Sequence, residues 1–207
     1  MNLFAHMTTF VVFFGLLIIA MSVHEFAHSW TAYKLGDMTA KYSGRLTFNP
    51  LAHIDIFWTV ILPLLFFITT GLFIAAAKPV PINYWALKNP KRDMIWIGIS
   101  GPLANFALAI LLSVVFKAVP LDSFVSYLIR SLVYINVMLG VFNLVPIPPL
   151  DGSRVVMGIL PDELSSKYAA IEPYGFFIII MLFGLGMLDR IIWPALNSIM
   201  RILGVPF

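Results

Sequence analysis

The chain has 207 residues, of which 60% are hydrophobic and 11% charged, and its mean hydropathy is +0.94. A soluble domain carries about a quarter charged residues and roughly half apolar ones, so this chain cannot cover itself with a polar surface, which excludes a soluble globular fold. The formal charge of +3 does not point to nucleic acid, because the 13 Lys and Arg residues are scattered through loops between apolar segments, where they orient a chain in a membrane. Cysteine is absent, which removes disulfides, thiolate metal sites and a cysteine nucleophile together.

The predicted elements, in chain order, are those of one membrane-embedded domain over residues 1–207. Residues 9–33 form a first spanning helix. No Lys or Arg precedes residue 23 and no small-residue cleavage site follows, so this helix reads as a retained span and not a signal peptide. Residues 35–55 are mixed: Gly36-Asp37 and Gly44 mark turns, and residues 42–48 are predicted as a short membrane-surface strand. Residues 56–77 are apolar and uncharged, interrupted by Pro63 and Gly71. Residues 78–93 form a polar loop whose Pro79, Pro81 and Pro90 favour extended backbone. A second span covers 94–116, a short connection 117–123, and a third span 124–145. That span ends in Pro146-Ile147-Pro148-Pro149-Leu150-Asp151-Gly152, where a helix must stop. A short amphipathic piece (153–160), a polar loop to Glu172 and a last apolar helix (176–188) follow. Residues 191–203 extend that helix or lie at the interface. The fold class is an all-α polytopic membrane protein with about four spanning helices, one apolar segment that re-enters, and a small membrane-surface β element.

His24-Glu25-Phe26-Ala27-His28 fits the H-E-x-x-H pattern. Positions i and i+4 share one helix face, so two imidazoles can grip one zinc ion. Glu25, adjacent to the first histidine, is then placed to take a proton from an attacking water and deliver it to the leaving amine. As mere interfacial anchors the three would be costly, because ionisable groups inside spans are rare and burying them without a metal is expensive.

Catalytic zinc usually takes three protein ligands and keeps one position open. His6 lies near the far end of the first helix, roughly 25–30 Å from the motif at 1.5 Å per residue. His53 and Asp55 are rivals for the third place, with hydrogen bonding within their loop as their other use. Asp151 is the strongest candidate, since it follows a charge-free span in a proline-broken segment, where irregular backbone is tolerated beside a cavity. Its competing use is as a cap of the helix beginning near Gly152.

The motif His24-Glu25-x-x-His28, together with Asn143-Leu-Val-Pro146-Ile-Pro148-Pro-Leu-Asp151-Gly152, resembles the site-2 protease family of intramembrane zinc metalloproteases. Ser100-Gly101-Pro102-Leu103-Ala104-Asn105 is similar to the family's Gly-Pro-x-x-Asn element. The resemblance implies that His24, His28 and Asp151 bind one Zn2+ per chain, that Glu25 is the base, and that Asn105 and Asn143 line the site as substrate-binding or oxyanion residues. Interhelical hydrogen bonding is the other use for both asparagines. No insertion the size of a peptide-binding PDZ module separates the motif helices, and no cystathionine-synthase-type nucleotide-binding domain follows the last one. The chain thus resembles a compact member, and compactness points to a prokaryotic cell membrane.

A shared zinc site also imposes parity. The first span ends just beyond His28 and the third just before Asp151, so both ends share a membrane face. The span over 94–116 must start on that face, which puts 35–55 and 78–93 on one side. Lys34, Lys41, Arg45, Lys78, Lys88, Lys91 and Arg92 agree, and positive-inside places them in the cytoplasm. Residues 56–77 are therefore predicted to re-enter and not to cross, with the site towards the cytoplasmic side. The predicted reaction is hydrolysis of a peptide bond in or beside the transmembrane helix of a membrane-protein substrate, in contact with lipid and without nucleic acid. The local unwinding this demands suggests β-augmentation at 42–48 or 79–82. A metal-ion transporter or metal sensor is the alternative, although a transporter would more often carry ligands along several helices and this chain has only four histidines.

Overall fold

A computed structural model of the chain describes residues 3–70, 77–120 and 122–205. Its elements are α1 (Leu3–Lys34), α2 (Thr39–Tyr42), α3 (Leu62–Thr70), α4 (Pro90–Ala118), α5 (Ser123–Asn143), α6 (Asp151–Ile159), α7 (Asp162–Ala169), α8 (Gly175–Gly184) and α9 (Asp189–Leu203), with short 3-10 and π turns between them. Four helical stretches are long and apolar enough to cross a membrane: Met7–Lys34, Pro90–Ala118, Ser123–Asn143 and Asp162–Gly184. This is the polytopic all-α class expected.

Helices α1, α4 and α5 pack on one another, and α6 packs on α4. Their boundaries follow local chemistry. Pro90 opens α4, where its missing N–H costs nothing. Asp122 caps α5 by accepting from the Phe124 and Val125 amides at 2.9 and 2.8 Å. Small residues permit the close approach of helices that lipid cannot drive together. At Gly140 of α5 a Cβ would lie 2.7 Å from the Phe106 ring of α4.

The short strand expected at 42–48 is not formed, and no strand occurs among the described residues. Asp37, fully buried, accepts the Thr39 amide through Oδ1 at 2.9 Å, which starts the helical turn α2 instead. Gly44, at φ +68°, then reverses the chain. The other oxygen of Asp37 accepts the Asn83 amide at 2.7 Å, and Leu35 and Ile82 pack into one cluster with Ala32, Leu87, Met94 and Ile97. The loops on either side of the 56–77 segment are therefore fastened to each other. Residues 79–82 are extended without pairing in a sheet.

The apolar segment itself begins with wide π-type turns over Ile56–Ile61, capped by Asp55, and continues into α3. The Phe67 ring of α3 lies 4.9 Å from that of Phe10 on α1. Phe10 is 14 residues before His24, so α3 reaches about 21 Å along α1 from the motif. Yet Lys78 N–H donates to the His53 carbonyl at 2.9 Å. The residues on either side of the 56–77 segment are thus joined directly to each other. Residues 71–76, including Gly71, lie outside the described residues.

Beyond the third span two expectations change. A helix, α7, stands where a polar loop is predicted; Asp162 and Glu163 in its first turn and Lys167 in its last complement its dipole. Lys91 of α4 bonds Asp162 at 2.6 Å and ties α7 to the start of α4. Residues 189–203 do not extend the preceding helix but form a separate helix packed on the bundle. Gly186, at φ +66°, turns the chain after α8. Ile192, Leu196, Met200 and Leu203 then form one buried stripe of α9. Ile192 of that stripe, with Leu188 just before the helix, packs against Val145 and Leu150, and Leu196 onward packs against Ala109, Val133 and Val137. A Cβ at Gly204 would meet Lys117 Nζ at 2.8 Å, so α9 ends beside the end of α4.

Candidate metal centre

His24 and His28 lie one turn apart on α1 and face α4 and α6. His24 Nε2 is 2.9 Å from Asp151 Oδ2, His28 Nε2 is 3.1 Å from the same oxygen, and the two Nε2 atoms are 3.0 Å apart. All three residues are buried. Among the described residues this is the one group of three or more His, Asp or Glu side chains whose ligand atoms converge. Asp151 is the first residue of α6 but does not cap it: the N-cap is Leu150, without a side-chain bond. The Asp151 carboxylate instead faces the two imidazoles with Oδ2 and Arg154 Nη1 with Oδ1, at 3.3 Å.

The hydrogen bonds behind the rings assign their protons. His28 Nδ1 sits 2.7 Å from the Ile97 carbonyl, an obligate acceptor, so Nδ1 carries the hydrogen. His24 Nδ1 sits 2.6 Å from Asn105 Oδ1. The amide of Asn105 has no freedom to turn round, because Nδ2 donates to the Ala20 carbonyl at 3.2 Å and to Asn136 Oδ1 at 2.8 Å. In the neutral rings both Nε2 lone pairs therefore point at each other and at a carboxylate oxygen. Three converging lone pairs in a buried place repel unless a cation lies between them, so this donor set fits a metal ion. Two imidazoles and a carboxylate are ligands zinc accepts, and three protein ligands leave one position open.

Helix α4 supplies the opposite wall. A Cβ at Gly101 would lie 2.6 Å from His24 Nε2 and would also run into His28 Nε2. The absent side chain keeps open the space that both lone pairs face. Pro102, which follows, cannot donate to the carbonyl of Gly98, and Gly98 itself lets α6 approach, since its Cβ would sit 3.0 Å from the Asp151 carbonyl oxygen.

Glu25 is 9% exposed and, unlike Asp151, its carboxylate has no hydrogen bond or ion pair to any described residue. The other sequence candidates lie elsewhere. His53 Nε2 donates to the Thr47 carbonyl at 2.9 Å and Asp55 caps the π turns, so both are used within their loop. Asn143 donates to the Leu139 carbonyl at 3.0 Å at the half-buried end of α5 and has no bond to the cluster. The side chain of His6 lies outside the described residues. Asn136 escaped the sequence reading. Its signal, an amide in the middle of an apolar span, is visible, but its partner on another helix is not.

Buried imidazoles and a carboxylate held among spanning helices define an intramembrane metal-centre protein. Residues 11–127 and 117–183 match the family described as Peptidase family M50. The chain belongs to this family, the site-2 protease family of intramembrane metalloproteases. It is 35% identical over 195 residues to "Putative zinc metalloprotease YwhC" of Bacillus subtilis (strain 168), covering 88% of this chain and 84% of that protein. It is 28% identical over 195 residues to a Rip2 protein of Mycolicibacterium smegmatis, covering 93% and 71%. It is 33% identical over 178 residues to "Zinc metalloprotease MJ0392" of Methanocaldococcus jannaschii, covering 84% of this chain and 43% of that protein. No solved structure matches the chain significantly.

Proposed function

We propose that the protein hydrolyses a peptide bond in or near the transmembrane helix of a membrane-protein substrate, with one Zn2+ per chain held by His24, His28 and Asp151 and with Glu25 as the base. The convergence of the His24 and His28 Nε2 atoms on one Asp151 oxygen carries this reading. When bound, zinc supplies Lewis acidity, making an attacking water more acidic and polarising the scissile carbonyl. The residues of the chain do the rest. Glu25, whose carboxylate has no hydrogen bond or ion pair to a described residue, takes the proton from the attacking water and passes it to the leaving amine. Buried helix walls keep bulk water from competing. Arg154 holds the second oxygen of Asp151, so that the carboxylate presents one oxygen to the site. Asn143, at the start of the broken 144–150 segment, is the candidate for contact with the substrate backbone. A transporter would need further ligands along its path, and the described residues hold a single converging group.

The site faces the side that carries the basic loops, which we assign to the cytoplasm of a prokaryotic cell. The chain has no native cysteine, so Tyr42→Cys and Trp85→Cys each introduce a sole thiol at a residue 82% and 95% exposed. Both should react with an impermeant maleimide only after the cytoplasmic face is opened. Labelling of the two from opposite faces would reject the excursion of 56–77.

Function itself is tested by metal removal. Purified protein should cleave a model transmembrane substrate, lose cleavage on treatment with 1,10-phenanthroline, and regain it with stoichiometric Zn2+ but not with Mg2+. Undiminished cleavage by metal-free protein would refute the proposal.

A further inference from the structure

We propose that Asn136 is a positioning residue: through Asn105 it fixes the tautomer of His24 that turns a lone pair towards the metal position. The inference rests on the zinc reading above and adds to it a residue that touches neither ligand atoms nor substrate.

The chain of bonds starts on α5. Asn136 is fully buried, and its Nδ2 donates to the Leu132 carbonyl one turn back, at 2.8 Å. A carbonyl only accepts, so Oδ1 of Asn136 must face outward from its own helix, towards α4. There it accepts Nδ2 of Asn105 at 2.8 Å. Asn105 is also fully buried, and its Nδ2 has a second acceptor in the Ala20 carbonyl of α1. Its own Oδ1 is thereby committed to His24 Nδ1. Each amide leaves the next only one way to turn.

The two histidines are thus oriented differently. His28 rests on a backbone carbonyl, Ile97, which no rotamer change can reverse, with Ser100 Oγ donating to the same oxygen at 2.7 Å. His24 rests on a side-chain amide. If that amide turned over, it would present N–H to His24 Nδ1, the ring proton would move to Nε2, and the lone pair facing Asp151 would be lost. Ala20 alone opposes the turn once the Asn136 oxygen is gone, and that bond is the longest of the set at 3.2 Å. A role confined to gluing helices together would need the α4–α5 bond but would be indifferent to its direction.

The test is Asn136→Leu, of similar volume without the acceptor, against Asn136→Asp, which keeps an oxygen towards Asn105. Zinc affinity is read by chelator competition, and the His24 tautomer by 15N chemical shifts in the metal-free protein. Asn136→Leu should weaken zinc by roughly 10–100-fold, the usual scale for an outer-shell partner, and should shift His24 towards the Nε2–H form. Asn136→Asp should retain the wild-type tautomer and most of the affinity. If Asn136→Leu does not fold, Asn136→Ser, whose hydroxyl back-bonds Leu132 but falls short of Asn105, should reproduce the loss. Wild-type affinity and tautomer in Asn136→Leu or Asn136→Ser would overturn the proposal. Wild-type protein that binds no zinc would overturn the zinc reading on which it rests, and His24 found as Nε2–H in that protein would overturn the relay as well.

Discussion

Glu25→Gln should bind zinc as wild type does and lose cleavage by at least about 10²–10⁴-fold, the range for a positioned acid–base group. The amide matches the carboxylate in shape. Glu25 makes no hydrogen bond or ion pair with a described residue, so the exchange breaks nothing that holds the fold. The proposed metal ligands are His24, His28 and Asp151, whose partners are Asn105, Ile97 and Arg154, and none of these bonds involves residue 25. What disappears is the capacity to accept a proton. Single-turnover cleavage of a model transmembrane substrate, with zinc content measured on the same sample, checks both halves. Turnover within a few-fold of wild type would reject Glu25 as the base, and zinc loss in the variant would show that it serves the site in another way.

Gly101→Ala should abolish metal binding at the histidines by a change of one carbon. Its methyl would stand 2.6 Å from both Cε1 and Nε2 of His24 and against His28 Nε2. Those atoms are the tips of rings whose other nitrogens are pinned by Asn105 and Ile97, so neither ring can retreat without breaking its bond. Nor can α4 back away, because Gly98 on the same helix already meets the first turn of α6. The methyl fills the place where the lone pairs converge. Zinc affinity should fall more than about 100-fold, beyond the range for an outer-shell change, and cleavage should vanish with it. Gly15→Ala is the matched control: nothing lies within 4 Å of a Cβ there, and alanine favours a helix over glycine by up to about 1 kcal/mol. That variant should keep full activity. Zinc retention by Gly101→Ala would mean that α4 stands farther from the histidines than described.

Much of this site is readable in one dimension because its chemistry is periodic or confined by topology. His24 and His28 announce themselves by an interval that a helix converts into a shared face. Asp151 is reached because it follows a charge-free span in a proline-broken segment, where irregular backbone is tolerated beside a cavity. Parity of a shared site, joined to the basic residues of 34–45 and 78–92, leads to the expectation that 56–77 goes out and back, and Lys78 bonds the His53 carbonyl across the ends of that segment. The failures come from contacts between segments far apart in the chain. Residues 42–48 have the alternation of a strand, but no strand among the described residues pairs with them, and buried Asp37 starts a helical turn nearby. The α7 helix is short and polar, and it holds to the bundle partly through Lys91, 71 residues away from Asp162. Asn136 and Gly101 matter through what stands opposite them on another helix, which no periodicity records.

The central claim is a metal ion among two imidazoles and an aspartate inside the helical bundle. Anomalous diffraction from crystals of active protein, collected on both sides of the zinc absorption edge, addresses it most directly. One peak per chain is expected, about 2.0–2.2 Å from His24 Nε2, His28 Nε2 and an Asp151 carboxylate oxygen. A zinc peak bound elsewhere in the chain, or active crystals with no metal between these three side chains, would contradict the account.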